Sequence, residues 1–126
     1  MMADVKKYDP DLGKNLIVNM TFEFAIDIVK FSELLESKRK FAIANQIIRS
    51  GTSVGANVRE AQNAESKADF IHKMKIAAKE ADETEYWLLI CKHSENYPDC
   101  AELLEKILSI KKVLSKIIAS SKKLIQ

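Results

Sequence analysis

Long apolar runs are missing from this chain. The longest, Tyr86 to Cys91, is six residues, against about 20 for a bilayer span, and the N-terminal stretch MMADVKKYDPDLGK has no apolar signal core. The expectation is a cytoplasmic protein without a membrane partner. Cysteine is scarce too: Cys91 and Cys100 cannot form a dense disulfide framework, and a reducing compartment would leave them as free thiols. Three glycines and two prolines, with 47% hydrophobic and 30% charged residues, are the balance of a soluble helical protein and not of a disordered tail. A chain of 126 residues suits one domain that buries roughly 65% of its unfolded surface, and no internal repeat is apparent.

The net charge is only +2, but its distribution is uneven. Residues 1–59 carry nine basic and seven acidic side chains, residues 60–105 five and eleven, and residues 106–126 six lysines and no acid. In an antiparallel bundle the acidic middle lies against the basic ends, so much of this pattern is internal complementarity.

Hydrophobic periodicity resolves four helices. In the first, Ile17, Thr21, Phe24, Ile28, Phe31 and Leu35 recur at steps of four and three, with Thr21 placed to cap a turn beginning at Phe22. In the second, Ala44, Ile47, Gly51, Val54, Val58 and Ala61 repeat the seam, and the helix is expected to run through both Gly51 and Gly55. Each glycine costs about 1 kcal/mol relative to Ala, so close packing of Gly51 and Gly55 against a neighbour must compensate. The third opens with Ser66 and Asp69 at capping-box spacing, carries Phe70, Met74, Ala77, Ala81, Thr84, Leu88 and Cys91, and should end near Asn96 before Tyr97-Pro98-Asp99. The fourth runs from Asp99, with Leu103, Ile107, Ile110, Leu114, Ile117, Ser121 and Leu124. Residues 1–15 show no period and read as an extended or disordered lead. The fold class is all-α: an antiparallel up-down-up-down four-helix bundle over residues 16–126. Around Tyr86, Trp87, Leu88, Leu89 and Ile90 the third helix is apolar nearly all round, which one bundle cannot cover. Tyr86, Trp87, Leu89 and Ile90 are therefore candidate contacts of a homo-oligomer.

The segment RSGTSVGANVREA (49–61) followed by ESKADFIHKMKIAAKEADETEYWL (65–88) resembles the small bacterial proteins encoded in intervening sequences of 23S ribosomal RNA genes. The likeness covers roughly residues 17–120 and rests on Ser53, Asn57 and Glu60, on Ser66 with Phe70, and on Ile76-Ala77 with Glu83. It implies a four-helix bundle. Members of this family are similar in fold to the accessory protein of diversity-generating retroelements, a basic homopentamer that binds nucleic acid and a reverse transcriptase. A pentamer is thus the oligomer the resemblance implies. This chain departs from that relative in being barely basic and acid-rich through its third helix.

The polar residues of the motif have their own reading. If the second and third helices pair about a loop near Ala64, Arg49 is level with about Ala81 and within reach of Glu80 or Glu83, where a charge-assisted bond can form. Ser53, Asn57 and Glu60 follow Arg49 at helical spacing. The preferred reading of Arg49, Ser53, Asn57, Glu60, Glu80 and Glu83 is an inter-helix polar network that sets register. A ligand or RNA strip is the alternative.

No catalytic, cofactor or metal site is expected. Bundle metal sites use paired Glu-x-x-His motifs, and the only comparable pair is Asp69 with His72, since Ile90 stands three before His93. The spacing of Cys91, His93 and Cys100 is unusual for zinc. Lys106, Lys111, Lys112, Lys116, Lys122 and Lys123, joined by Lys38, Arg39 and Lys40, are the candidate contacts for RNA or DNA; no aromatic residue accompanies the fourth-helix lysines for stacking. The reading is an oligomeric, non-enzymatic binding or scaffold protein, with a module for a protein partner such as a polymerase or reverse transcriptase as the alternative.

Overall fold

The stripe from Ile17 to Leu35 winds into one helix, α1 (Leu16–Ser37), in a computed structural model that describes residues 15–125, without the side chains of residues 124 and 125. Of the expected lead over residues 1–15, all but Asn15 lies outside the described residues, as does the side chain of Leu124. All six stripe residues of α1 are buried. Thr21, however, caps nothing. The helix has already begun five residues earlier, and the Thr21 hydroxyl donates to the Ile17 carbonyl at 2.8 Å, the bond a helical threonine makes to its preceding turn.

α1 ends in a Schellman arrangement: Lys40 N–H bonds the Leu35 carbonyl at 2.9 Å and Arg39 N–H that of Glu36 at 2.8 Å. Arg39 occupies the left-handed position at φ 64°, where glycine is usual. α2 (Phe41–Ala61) is unbroken through both glycines, with the whole predicted seam buried. A Cβ on Gly51 would stand 2.8 Å from both γ carbons of Ile28, and one on Gly55 3.2 Å from the Thr21 carbonyl oxygen. The glycines thus let α1 approach, which is the compensation their helix cost requires.

α3 (Lys67–His93) starts at Ser66, whose hydroxyl accepts from Asp69 N–H at 3.0 Å. Asp69 returns a bond to Glu65 N–H at 3.1 Å, one residue before the donor a capping box uses. Ile71 is buried and Phe70 only partly so, a one-residue shift from the predicted seam. The helix ends at His93, three residues earlier than expected, because Ser94 leaves helical space (ψ 144°) and Asn96 turns left-handed at φ 65°. Asp99 then accepts from Ala101 N–H at 3.2 Å and opens α4 (Ala101–Ile125).

α1 packs on α2, α2 on α3, α3 on α4, and α4 back on α1. Partners run in opposite order along each seam: Ile28–Gly51 and Thr21–Gly55, Arg49–Glu80 and Glu60–Lys73, Leu88–Cys100 and Glu85–Lys111. The protein is an up-down-up-down four-helix bundle. Its core includes Phe24, Ile47, Met74, Leu88, Ile107 and Leu114, each 1% exposed or less; burying one such side chain contributes about 1.5–3 kcal/mol. The α1–α4 seam is the loosest, with hollows of ≈ 300 and ≈ 320 Å³ along it.

Candidate functional site

On the rim between α2 and α3, the Arg49 guanidinium lies 3.5 Å from Glu80 Oε1, contacts Glu83 Oε2, and donates to Gln46 Oε1 at 3.1 Å. Glu83 also accepts from Trp87 Nε1 at 2.9 Å, so one carboxylate joins the arginine to the indole. The rest of the expected network does not cross to this cluster. Ser53 donates to the Arg49 carbonyl at 2.6 Å and Asn57 to the Ser53 carbonyl at 2.9 Å, both within α2. Glu60 faces Lys73 instead, at 3.8 Å. Short side chains on a helix reach their own preceding turn before they reach a neighbour. Beneath the rim lies a pair the sequence reading missed: the hydroxyls of Ser50 and Thr84, both 0% exposed, are 3.0 Å apart. They are the buried polar link between α2 and α3.

The lysines divide into two groups. Lys106 bonds Asp27 of α1 at 2.7 Å and Glu102 at 3.1 Å. Lys111 bonds Glu85 at 2.6 Å and Asp82 at 2.9 Å. Hydrogen bonds to these carboxylates hold both ammonium groups above the usual lysine range. These two lysines are tied to acids of the bundle. Lys112, Lys116, Lys122 and Lys123 are exposed and take part in no ion pair among the described residues.

Lys122 lies about three turns beyond Lys111 on the same face of α4, and Lys75 about two turns before Asp82 on the facing stripe of α3. There the charge of Lys122 holds Lys75 below the usual lysine range. Lys79, one turn along α3 from Lys75, is likewise exposed. Lys75 and Lys79 escaped sequence reading because α3 is acidic on balance; only the facing register with α4 reveals them. Lys38, Arg39 and Lys40 sit at the other end of the bundle, with Lys40 Nζ 4.8 Å from the Tyr97 ring centroid, so within one chain they do not extend this patch.

Of the candidate oligomer contacts, Tyr86 (59%) and Leu89 (38%) are exposed, together with Leu108 (44%) of α4. Trp87 is partly buried and packs against the core, and Ile90 is half-buried. Cys91 and Cys100 are buried; Cys100 Sγ donates to the Leu88 carbonyl at 3.3 Å, and burial pushes the Cys91 thiol up to about 12. Among the described residues no three His, Cys, Asp or Glu side chains converge on a metal position, and no helix is long and apolar enough to cross a membrane.

These features define a small all-α bundle with an arginine-centred rim, a buried hydroxyl pair and a lysine-lined end. The chain belongs to the 23S rRNA-intervening sequence protein family, whose model matches residues 13–116. It is similar to the crystal structure of a protein of unknown function from the S23 ribosomal protein family of Bacteroides thetaiotaomicron VPI-5482. The two share 43% identity with a TM-score of 0.78, over 81% of this chain and 97% of that one. No curated protein matches.

Proposed function

We propose that this chain is a non-enzymatic, self-associating scaffold that binds RNA weakly and without sequence preference through the lysine end of its α3–α4 seam. The reading is supported by Lys75 and Lys122, which stand close enough for the charge of one to depress the other and which take part in no ion pair among the described residues, in a protein whose Lys73, Lys106 and Lys111 are each matched to an acid. Two uncompensated ammonium groups repel each other and gain by sharing a phosphate, which also releases condensed counterions. Lys79, Lys112, Lys116 and Lys123 widen the same field. Self-association, pentameric as the family resemblance implies, repeats this end in every copy and multiplies its potential. The exposed Tyr86, Leu89 and Leu108 support such a contact.

Fluorescence-anisotropy titration of single-stranded RNA at low and high salt is the test. Binding should be present at low salt and fall steeply as salt rises, and Lys75→Glu or Lys122→Glu should each reduce the log–log salt slope by about one. Absence of binding at low salt overturns the reading. In that case the second reading stands, a module that offers the Tyr86, Leu89 and Leu108 surface to another polypeptide.

A further inference from the structure

The motif's second arginine is not used by the rim network or by the lysine end. Arg59 closes α2, and its guanidinium lies over the Phe22 ring of α1 at 5.7 Å from the centroid. Such a contact contributes about 0.5–1 kcal/mol at an exposed site and so favours this placement of the side chain. No carboxylate pairs with Arg59 among the described residues. On either side of it the α1–α2 groove is hollow. Toward the middle a ≈ 180 Å³ recess is floored by the small residues Ala25, Thr52, Gly55 and Ala56. Toward the end of the bundle a ≈ 410 Å³ cavity is lined by Phe22, Arg59 and the carboxamide residues Asn15, Asn19, Gln62 and Asn63.

The larger cavity holds one cation, one aromatic ring, Val18 and four carboxamides, and no acid. Gln62 gives its Nε2 to the Val58 carbonyl at 2.9 Å, which fixes the side chain and leaves its oxygen as an acceptor. Asn63 and Asn15 make no side-chain hydrogen bond within the described residues. Carboxamides carry a donor and an acceptor side by side, the complement of a nucleobase edge, and splayed-out bases of single-stranded RNA stack on aromatic rings and guanidinium groups. A volume at the lower end of the range for small-ligand sites fits one nucleotide.

We propose that the Arg59 end of the α1–α2 groove is a pocket for a single unpaired nucleotide. The Phe22-braced guanidinium takes the base face and the phosphate charge, and Asn63, Gln62 and Asn15 meet the base edge. The ligand class rests on the nucleic-acid reading above; the site is separate, on the opposite side of the bundle from the Lys75–Lys122 seam. It gives the protein a way to hold one splayed base while the lysines hold backbone.

Adenosine 5′-monophosphate titrated into the full chain, followed by NMR, tests it. Shifts should fall on the side-chain amides of Asn63 and Gln62, on Phe22 and on Arg59. Adenosine alone and inorganic phosphate alone should each bind more weakly. Arg59→Ala, at an exposed position that leaves the core intact, should weaken binding about tenfold, and Arg59→Lys should not restore it. The double variant Lys75→Glu with Lys122→Glu should leave nucleotide binding unchanged while it weakens long RNA. No shifts at millimolar nucleotide, shifts confined to the lysine end, or unchanged affinity in Arg59→Ala would each overturn the pocket even if long RNA binds. Nucleotide binding at Arg59 without long-RNA binding would instead sink only the lysine reading.

Discussion

α2 and α4 are held in the bundle by opposite means. α2 meets its neighbours at close backbone and hydroxyl contacts: Gly51 under Ile28, Gly55 under the Thr21 backbone, and the Ser50 hydroxyl against that of Thr84. α4 is tied at its rims by long lysines, Lys106 across to Asp27 and Lys111 across to Glu85 and Asp82. Small buried residues fix an inter-helix distance and register, because interiors pack to crystal density. A flexible ammonium spans whatever gap it finds. α2 should therefore be intolerant of added volume, and α4 tolerant of lost charge.

The strongest way to break that contrast is to enlarge Gly51. Gly51→Leu should cost about 3 kcal/mol through overpacking, read as a fall in the urea midpoint at unchanged slope. Gly51→Ala should cost less, because Ala recovers about 1 kcal/mol of helix propensity. Combined with Ile28→Ala, it should cost less than the sum of the two single changes. A Gly51→Leu protein as stable as the parent would mean that α1 does not sit on this face of α2.

Next in size is an alkaline effect in the α3–α4 seam. Burial raises Cys91 from 9.0 to about 12 and also raises Cys100. Between these values the unfolded chain releases thiol protons that the folded chain retains. The folded state then binds more protons, so stability falls as pH rises from about 9 toward 12. Cys91→Ala should flatten that slope in urea melts taken across the alkaline range. A slope identical to the parent's would assign the loss to other groups.

The contrast also marks how far the residues alone could be read. The seam of α2, glycines included, was legible because every third or fourth position is apolar or small, and only a close neighbour rationalises two glycines in a helix interior. The reach of Arg49 to Glu80 and Glu83 followed from the register set by the short α2–α3 connection. The Ser50–Thr84 pair was not legible, since a serine and a threonine on a helix more often serve their own backbone, as Ser53 and Thr21 do here. The sorting of lysines was equally hidden. Lys106 and Lys111 look like Lys112 and Lys116 until α1 and α3 are in place to supply acids. The early end of α3 was missed because the chain leaves helical space at Ser94 (ψ 144°), where no glycine or proline announces it.

Thr84→Val tests the α2 side at smaller scale. Each hydroxyl also reaches the carbonyl of its own preceding turn, Ser50 that of Gln46 and Thr84 that of Glu80, so removal of one hydroxyl leaves its partner a carbonyl to bond. The cost should be about 1 kcal/mol. The double variant Ser50→Ala with Thr84→Val should cost less than the sum of the two single changes, since both remove the same inter-helix bond. On the α4 side, Lys111→Met should cost less still, at most about 1 kcal/mol, because the pair is partly exposed and screened. If Lys111→Met proves costlier than Thr84→Val, charge and not packing sets the position of α4.

The smallest effect should be a gain. At the end of the α3–α4 seam Lys75 faces Lys122, and the neighbouring charge holds Lys75 below the usual lysine range. A lysine whose folded pKa is depressed disfavours the folded state while charged, and that penalty is relieved as pH rises through the lowered value. Lys122→Glu replaces the repulsion with attraction at about the same distance. Lys75 should then titrate higher, which NMR of the labelled lysine side chains can follow, and the protein should become slightly more stable at neutral pH and low salt. High salt should erase the gain, since both groups are in water. This puts the two uses of the seam in opposition: the substitution that improves the bundle removes the uncompensated charge proposed to meet phosphate. A stabilised Lys122→Glu protein that also binds RNA less well would show that the end of the seam trades stability for binding. A stabilised protein with unchanged RNA affinity would move the contact to Lys112, Lys116 and Lys123.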